Sequence, residues 1–245
     1  MRNLKRNSSG FTLIELVLTI VITGIIATLA LRKMSATIES SRYEATKQEM
    51  DNIACAIVGN PSTYSNGSRT DFGYVGDVGA LPANLDALMS NPGGYSTWNG
   101  PYLAAGASSG DFRKDGWNVD YTYTGTLIRS TGSGSTIEKR IAANSAELLN
   151  NTVSGYIVDA ANRTPGATYV DSLRLSLIYP NGSGGLATVT VNPGADGQFS
   201  FSNIPIGQHT VRAIYLPDAD TVTYKTTVYP GNTAKLSITF PANLW

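Results

Sequence analysis

The chain has 245 residues, 42% of them hydrophobic and only 15% charged, a length that suggests one or two domains. Eighteen Lys and Arg against eighteen Asp and Glu leave no net formal charge, which argues against a nucleic-acid binder and its usual basic excess. A single cysteine, Cys55, excludes an internal disulfide, and a single histidine, His209, excludes a multi-histidine metal site.

The N-terminal segment carries the most information. Arg2, Lys5 and Arg6 sit in MRNLKRNSSG with no acid to offset them. The stretch from Phe11 to Leu31 then holds one charge, Glu15, and is about long enough to span a bilayer as a helix. Arg32 and Lys33 close it. The basic flank predicts that the N-terminus stays cytoplasmic. A secretory signal would place its small-residue cleavage site after the apolar core. Here the small residue, Gly10, comes before it, so cleavage there removes the leader and keeps the anchor. A carboxylate at membrane depth costs a few kcal/mol without a partner. Glu15 either lies near enough to the interface to snorkel, or pairs with the amine of a neighbouring copy, which cleavage after Gly10 would create at Phe11.

Gly10-Phe11-Thr12-Leu13-Ile14-Glu15-Leu16 resembles the processing site of type IV pilins and type II secretion pseudopilins. The resemblance implies cleavage between Gly10 and Phe11 by prepilin peptidase, N-methylation of Phe11, and Glu15 as the assembly residue. Loss of Arg2, Lys5 and Arg6 would leave the mature chain with three net negative charges.

Helical periodicity continues past the membrane segment. No Pro or Gly interrupts Met34 to Val58, and Met50, Ile53, Ala54 and Ile57 fall on one helix face. Gly59-Asn60-Pro61 is a stop signal. Gly24, in mid-span, suits a local break, a close helix contact, or no special purpose. Leu81 to Leu88 reads as a short helix, and alternation of Val119, Tyr121 and Tyr123 as a strand. Trp98, Gly100, Pro101 and Tyr102, followed by Asp115, Trp117, Tyr121 and Tyr123, resemble the head of the major type II secretion pseudopilin. These aromatics are expected to pack a core. In that family an acidic, glycine-rich loop after the strand binds calcium. The equivalent stretch here, Thr124 to Lys139, has one acid, Glu138, whereas calcium takes six to eight oxygens. No cofactor is expected, with calcium at Asp111, Asp115 and Asp120 as the remaining alternative to their use as turn residues. Ser130 to Ser135 has the composition of a flexible linker, and Ile137 to Asn150 reads as a short helix.

From residue 152 onward, seven short alternating runs with turn signals between them indicate an all-β sandwich or barrel. Val153 to Ala160, Thr164 to Ala167 and Gly197 to Gly207 resemble the carboxypeptidase regulatory-like module, a prealbumin-like sandwich without catalytic residues. His209, at the start of a strand with no Ser, Cys or acid nearby, reads as a surface or edge residue. Cys55 reads as a small packed residue, and Asp218 and Asp220 as turn residues.

The expected fold is α+β. It comprises a cleaved leader (1–10), a pilin or pseudopilin domain (11–129, helix 11–58 and head 59–129), a linker with a short helix (130–151) and a seven-stranded sandwich (152–245). The expected role is a filament subunit of a type II secretion pseudopilus or a type IV pilus-like fibre. Its partners would be copies of itself, prepilin peptidase, an inner-membrane assembly platform and minor pilins or pseudopilins. The chain would sit in the bacterial inner membrane and then in a periplasmic or surface filament. The alternative is a membrane-anchored protein that never polymerises and uses the sandwich to bind carbohydrate or protein. No nucleophile, base and orienting group occur together, so no enzyme is expected.

Overall fold

The computed structural model describes residue 10 and residues 12–103 and 111–245. The leader charges and Phe11 lie outside the described residues. The chain divides into two compact units, one ending at Ala45 and the other running from Thr46 to Trp245. A single helix, α1 (Leu13–Val58), contributes to both and is roughly 70 Å long at 1.5 Å per residue. It runs unbroken through Gly24.

In the first unit every residue from Leu13 to Ala45 is exposed. In the second, α1 buries Thr46, Met50, Ile53, Ala54, Ala56 and Ile57, the face that the periodicity predicts. The helix stops where Gly59 takes φ +82, a conformation that glycine adopts without a Cβ penalty. Strands β1 (Tyr64–Ser65) and β2 (Ser68–Arg69) then form a hairpin, turned by Asn66 and Gly67 at φ 50 and 77 as a two-residue primed turn requires. That hairpin delivers Arg69 to the end of α1. Its guanidinium donates to the carbonyls of Val58 (2.5 Å) and Gly59 (3.0 Å), satisfying acceptors that the helix leaves open and countering its negative pole.

Helix α2 (Gly73–Val78) follows. The Leu81–Leu88 segment is a 3₁₀ turn only at Leu85–Leu88, started by the Asn84 side chain accepting from Ala87 N–H at 3.2 Å. A small antiparallel sheet is made of β3 (Thr122–Tyr123), β4 (Leu127–Ser130) and β5 (Ile137–Arg140). The strand expected from Val119 is thus confined to Thr122–Tyr123, while Asp120 makes an isolated bridge to Lys114. Two further expectations are corrected here. The Ser/Gly run is the turn of the β4–β5 hairpin, with Ser130 opposite Ile137. The helix expected over Ile137–Asn150 is a strand followed by one turn, α3 (Ala146–Leu149). So short a helix has little stability of its own, and pairing with β4 outweighs it. Met50, Ile53, Ile57, Val75, Val78, Leu88, Ile128 and Leu148 share one core, which also takes in Ile206 from the β region.

Beyond β6 (Asn151–Val158) and the single turn α4 (Gly166–Tyr169) come β7 (Leu173–Pro180), β8 (Leu186–Val191), β9 (Gln198–Ile204), β10 (Gly207–Tyr215), β11 (Asp220–Val228) and β12 (Thr233–Thr239). Each of the seven alternating runs overlaps one of these strands. They form a four-stranded sheet in the order β11-β10-β7-β8 and a three-stranded sheet in the order β12-β6-β9. Their inward residues, among them Ile157, Leu175, Leu177, Phe201, Val211, Val228 and Ile238, form a single cluster. Pairing is antiparallel throughout except between β12 and β6, which run parallel in register from Thr233–Thr152 to Thr239–Val158. The architecture is α+β: one long apolar helix and a multi-stranded β region.

Candidate functional site

Gly10 is exposed. Thr12 immediately precedes α1, and its hydroxyl and carbonyl both accept the Glu15 N–H, at 3.3 and 3.1 Å. Thr12-x-x-Glu15 thereby forms the side-chain half of a capping box, a signal already present in the sequence. Glu15 lies in the first turn, where the helix dipole favours an anion. Local chemistry therefore supports a carboxylate at this position whatever its distant partner.

The apolar face is prepared for a solvent without water. Leu13 is 83% and Ile14 77% exposed, and α1 is long and apolar enough to cross a membrane. The Thr hydroxyls within the apolar run are satisfied inside the helix. Thr19 donates to Leu16 O, Thr23 to Thr19 O and Thr28 to Gly24 O, each at 2.8 Å. Such back-bonding removes the penalty for polar groups in lipid or in a packed apolar bundle.

The head's aromatics pack as expected. Trp98 donates its indole N–H to Ala87 O (3.0 Å) and meets Tyr102 edge-on, with centroids 5.6 Å apart. The Tyr102 hydroxyl donates to Asp77 at 3.0 Å, and Tyr121 donates to Glu49 on α1 at 2.9 Å. Burial raises the pKa of both phenols.

Asp115 has a role that sequence reasoning missed. One carboxylate oxygen accepts the N–H groups of Trp117 (2.9 Å) and Val119 (3.0 Å). The other accepts the Ser130 hydroxyl (2.6 Å) and the Gly132 N–H (3.0 Å). Burial pushes this carboxyl upward, but the donors outweigh it and hold it below the usual range. Asp111 pairs with Arg113 at 2.8 Å. Among the described residues no group of three or more His, Cys, Asp or Glu is placed to hold a metal ion. The geometry accounts for Asp115 as a structural knot.

His209 is corrected: it is buried, with 2% exposure, not a surface or edge residue. Its Nε2 lies 2.7 Å from Pro205 O, and since a carbonyl can only accept, Nε2 carries the hydrogen. Burial lowers its pKa, partly offset by that bond. Cys55 is half-buried, and burial, with Asp51 adding to it, raises its thiol pKa, the setting of an inert thiol. Asp218 lies in the β10–β11 turn beside Ala219 (φ 57), whereas Asp220, expected as a turn residue, opens β11 opposite Tyr215.

Residues 5–31 match the prokaryotic N-terminal methylation motif. A stretch of 98 residues, 40% of this chain, is 28% identical to the type II secretion system core protein G of Xanthomonas campestris pv. campestris and spans 59% of that relative's length. Among solved structures, the dioxygenase domain of a dioxygenase carbohydrate-binding protein fusion from Streptomyces sp. SirexAA-E superposes with a TM-score of 0.31 at 16% identity, over 42% of this chain and 86% of that one. BcpA, the major pilin subunit of Bacillus cereus, does so with a TM-score of 0.27 at 18% identity, over 48% and 37%. Superpositions at those scores bear on neither mechanism nor ligand. The methylation motif and the apolar helix together point to membrane association and export.

Proposed function

We propose that the chain is a structural filament subunit, of a type II secretion pseudopilus or a type IV pilus-like fibre. In this reading prepilin peptidase cuts between Gly10 and Phe11, Phe11 is N-methylated, and the apolar part of α1 leaves the bilayer to pack with other copies on an inner-membrane assembly platform. The observation that carries it is the methylation motif over residues 5–31 continuing into a helix whose residues stay exposed as far as Ala45. The apolar part of that helix, from Leu13 to Leu31, must be covered by lipid or by protein. Glu15 would neutralise the Phe11 amine of a neighbour, fixing the register because either charge buried alone is costly. Residues 152–245 would form a prealbumin-like sandwich resembling the carboxypeptidase regulatory-like module, carried as an accessory on the filament.

Glu15→Leu tests this in cells that contain prepilin peptidase. Cleavage and membrane insertion should persist, because the change only makes the span more apolar. Assembly should fail, since an unpaired amine in an apolar bundle costs roughly 3–5 kcal/mol. Intact mass reads cleavage, and electron microscopy with crosslinking reads assembly. Equal fibres from both proteins would refute the role of Glu15. A mature chain still beginning at Met1 would refute the processing. Multimers from neither protein would favour a non-polymerising anchored one.

A further inference from the structure

The outward face of the three-stranded sheet carries a groove of about 840 Å³ that the assembly reading leaves without a purpose. We infer that this groove binds carbohydrate, with the Tyr156 ring as the stacking platform for a β-linked pyranose chain.

The register builds the site. Tyr156 lies on β6, the central strand, between Ser237 of β12 and Gln198 of β9. One step along the same face, Ser154 sits between Lys235 and Ser200. A large ring is thus surrounded by small or polar neighbours that do not cover it, and Tyr156 remains 51% exposed. Asn192 and Asp196, from the loop between β8 and β9, line the same groove. Lys235 is held across the face by its 2.9 Å bond to Ser154 Oγ.

Those groups match a sugar better than other partners. An all-equatorial pyranose offers a flat face of axial C–H bonds for the ring and a rim of hydroxyls that both donate and accept. Tyr supplies the apolar contact, the amides of Asn192 and Gln198 and the hydroxyl of Ser200 both donate and accept, Lys235 donates and Asp196 accepts. A protein partner would ask for a desolvated apolar pocket at the centre, but here the exposed Tyr156 lies beside polar Ser154, Gln198 and Lys235, and Phe199, which also lines the groove, is itself buried in the core. A nucleic acid would ask for a run of cations, whereas the lining offers one lysine opposed by one aspartate. The inference stands apart from the assembly reading, because nothing in it uses α1.

The test is calorimetric titration of the full chain in a zwitterionic detergent, since sugar-headed detergents would compete. Cellohexaose and chitohexaose are the probes, and maltohexaose, whose α-linkages curve the chain, is the control. At least one β-linked hexaose should bind with a Kd in the range of about 0.1–5 mM, and maltohexaose should bind more weakly. Tyr156→Ala should weaken binding about tenfold or more, and Tyr156→Phe should keep it. Tyr169→Ala, an exposed tyrosine outside the groove, should change nothing. Should Tyr156→Ala not fold, Gln198→Ala decides the matter by the same loss. Binding of neither β-linked hexaose at about 20 mM, or equal binding by wild type and Tyr156→Ala, would overturn the inference. Glu15→Leu should bind sugar like wild type whatever happens to its assembly.

Discussion

Asp115→Asn should loosen the head, because one carboxylate fastens the β4–β5 hairpin to the loop preceding β3. The side chain is 5% exposed and takes four donors, two on each oxygen. An amide retains one acceptor oxygen for Trp117 and Val119 but turns an N–H₂ toward Ser130 and Gly132. The Ser130 hydroxyl can rotate and accept. The Gly132 N–H cannot, and a buried donor without a partner costs about 1–3 kcal/mol. The bonds that remain lose their ionic character and with it up to about half their strength. We expect a loss of about 2–4 kcal/mol for Asp115→Asn, and a larger one for Asp115→Ala, which strands all four donors. Urea unfolding of the full chain in detergent, followed by tryptophan fluorescence, measures it. The donors depress the folded pKa of Asp115. Its stabilisation is therefore present above the unfolded value of about 3.9 and is lost as pH falls through the folded value. The wild type should lose more stability than Asp115→Asn between about pH 5 and pH 3. A variant within about 0.5 kcal/mol of wild type, with a parallel acid curve, would refute the reasoning.

His209→Gln should flatten the pH dependence of stability. The folded histidine has a lowered pKa, so the unfolded chain takes up the proton first, and wild-type stability should drain as pH falls below about 6.5; equal slopes in both proteins on thermal melts would show that His209 does not titrate on unfolding. Gly155→Ala should unfold the β region or cost about 3 kcal/mol, because the new Cβ would collide with the Leu236 carbonyl oxygen, where β12 lies against β6; a normal melting temperature would mean that the two strands separate readily.

Much of this architecture was legible because strong local signals agreed with tertiary packing. The helix face of Met50, Ile53, Ala54 and Ile57 and the stop at Gly59 were both readable. So were the alternations of Leu173 to Tyr179 and Val211 to Tyr215. Where the reading failed, pairing with another strand decided the outcome. Ile137 to Arg140 is a strand because β4, just across the Ser/Gly turn, is available to pair with it. The parallel pairing of β12 with β6 spans about eighty residues of chain and has no local signature. His209 is different, because its signal was present. It is in phase with Val211, Ala213 and Tyr215, all buried on the same side of β10, and period two alone would have placed it inside. Asp115 was visible as a turn residue, but its second oxygen serves Ser130 and Gly132, which only the folded hairpin brings near. At the N-terminus the motif was evident, and the Thr12 cap lay within it unread.

The parallel pairing of β6 and β12 has a mechanical consequence. β6 is entered from the head at Asn151, and β12 is left toward the C-terminus after Thr239. The two strands point the same way, so a pull between the head and the C-terminus loads them at opposite ends of a shared ladder. Every rung from Thr233–Thr152 to Thr239–Val158 is then sheared together, instead of being peeled apart one at a time as in a hairpin. Opening the β region by such a pull requires those bonds to fail nearly at once, a high barrier for tension applied at the chain's end. A load gripping Trp245 would therefore be passed on to the head and α1 before the β region gave way.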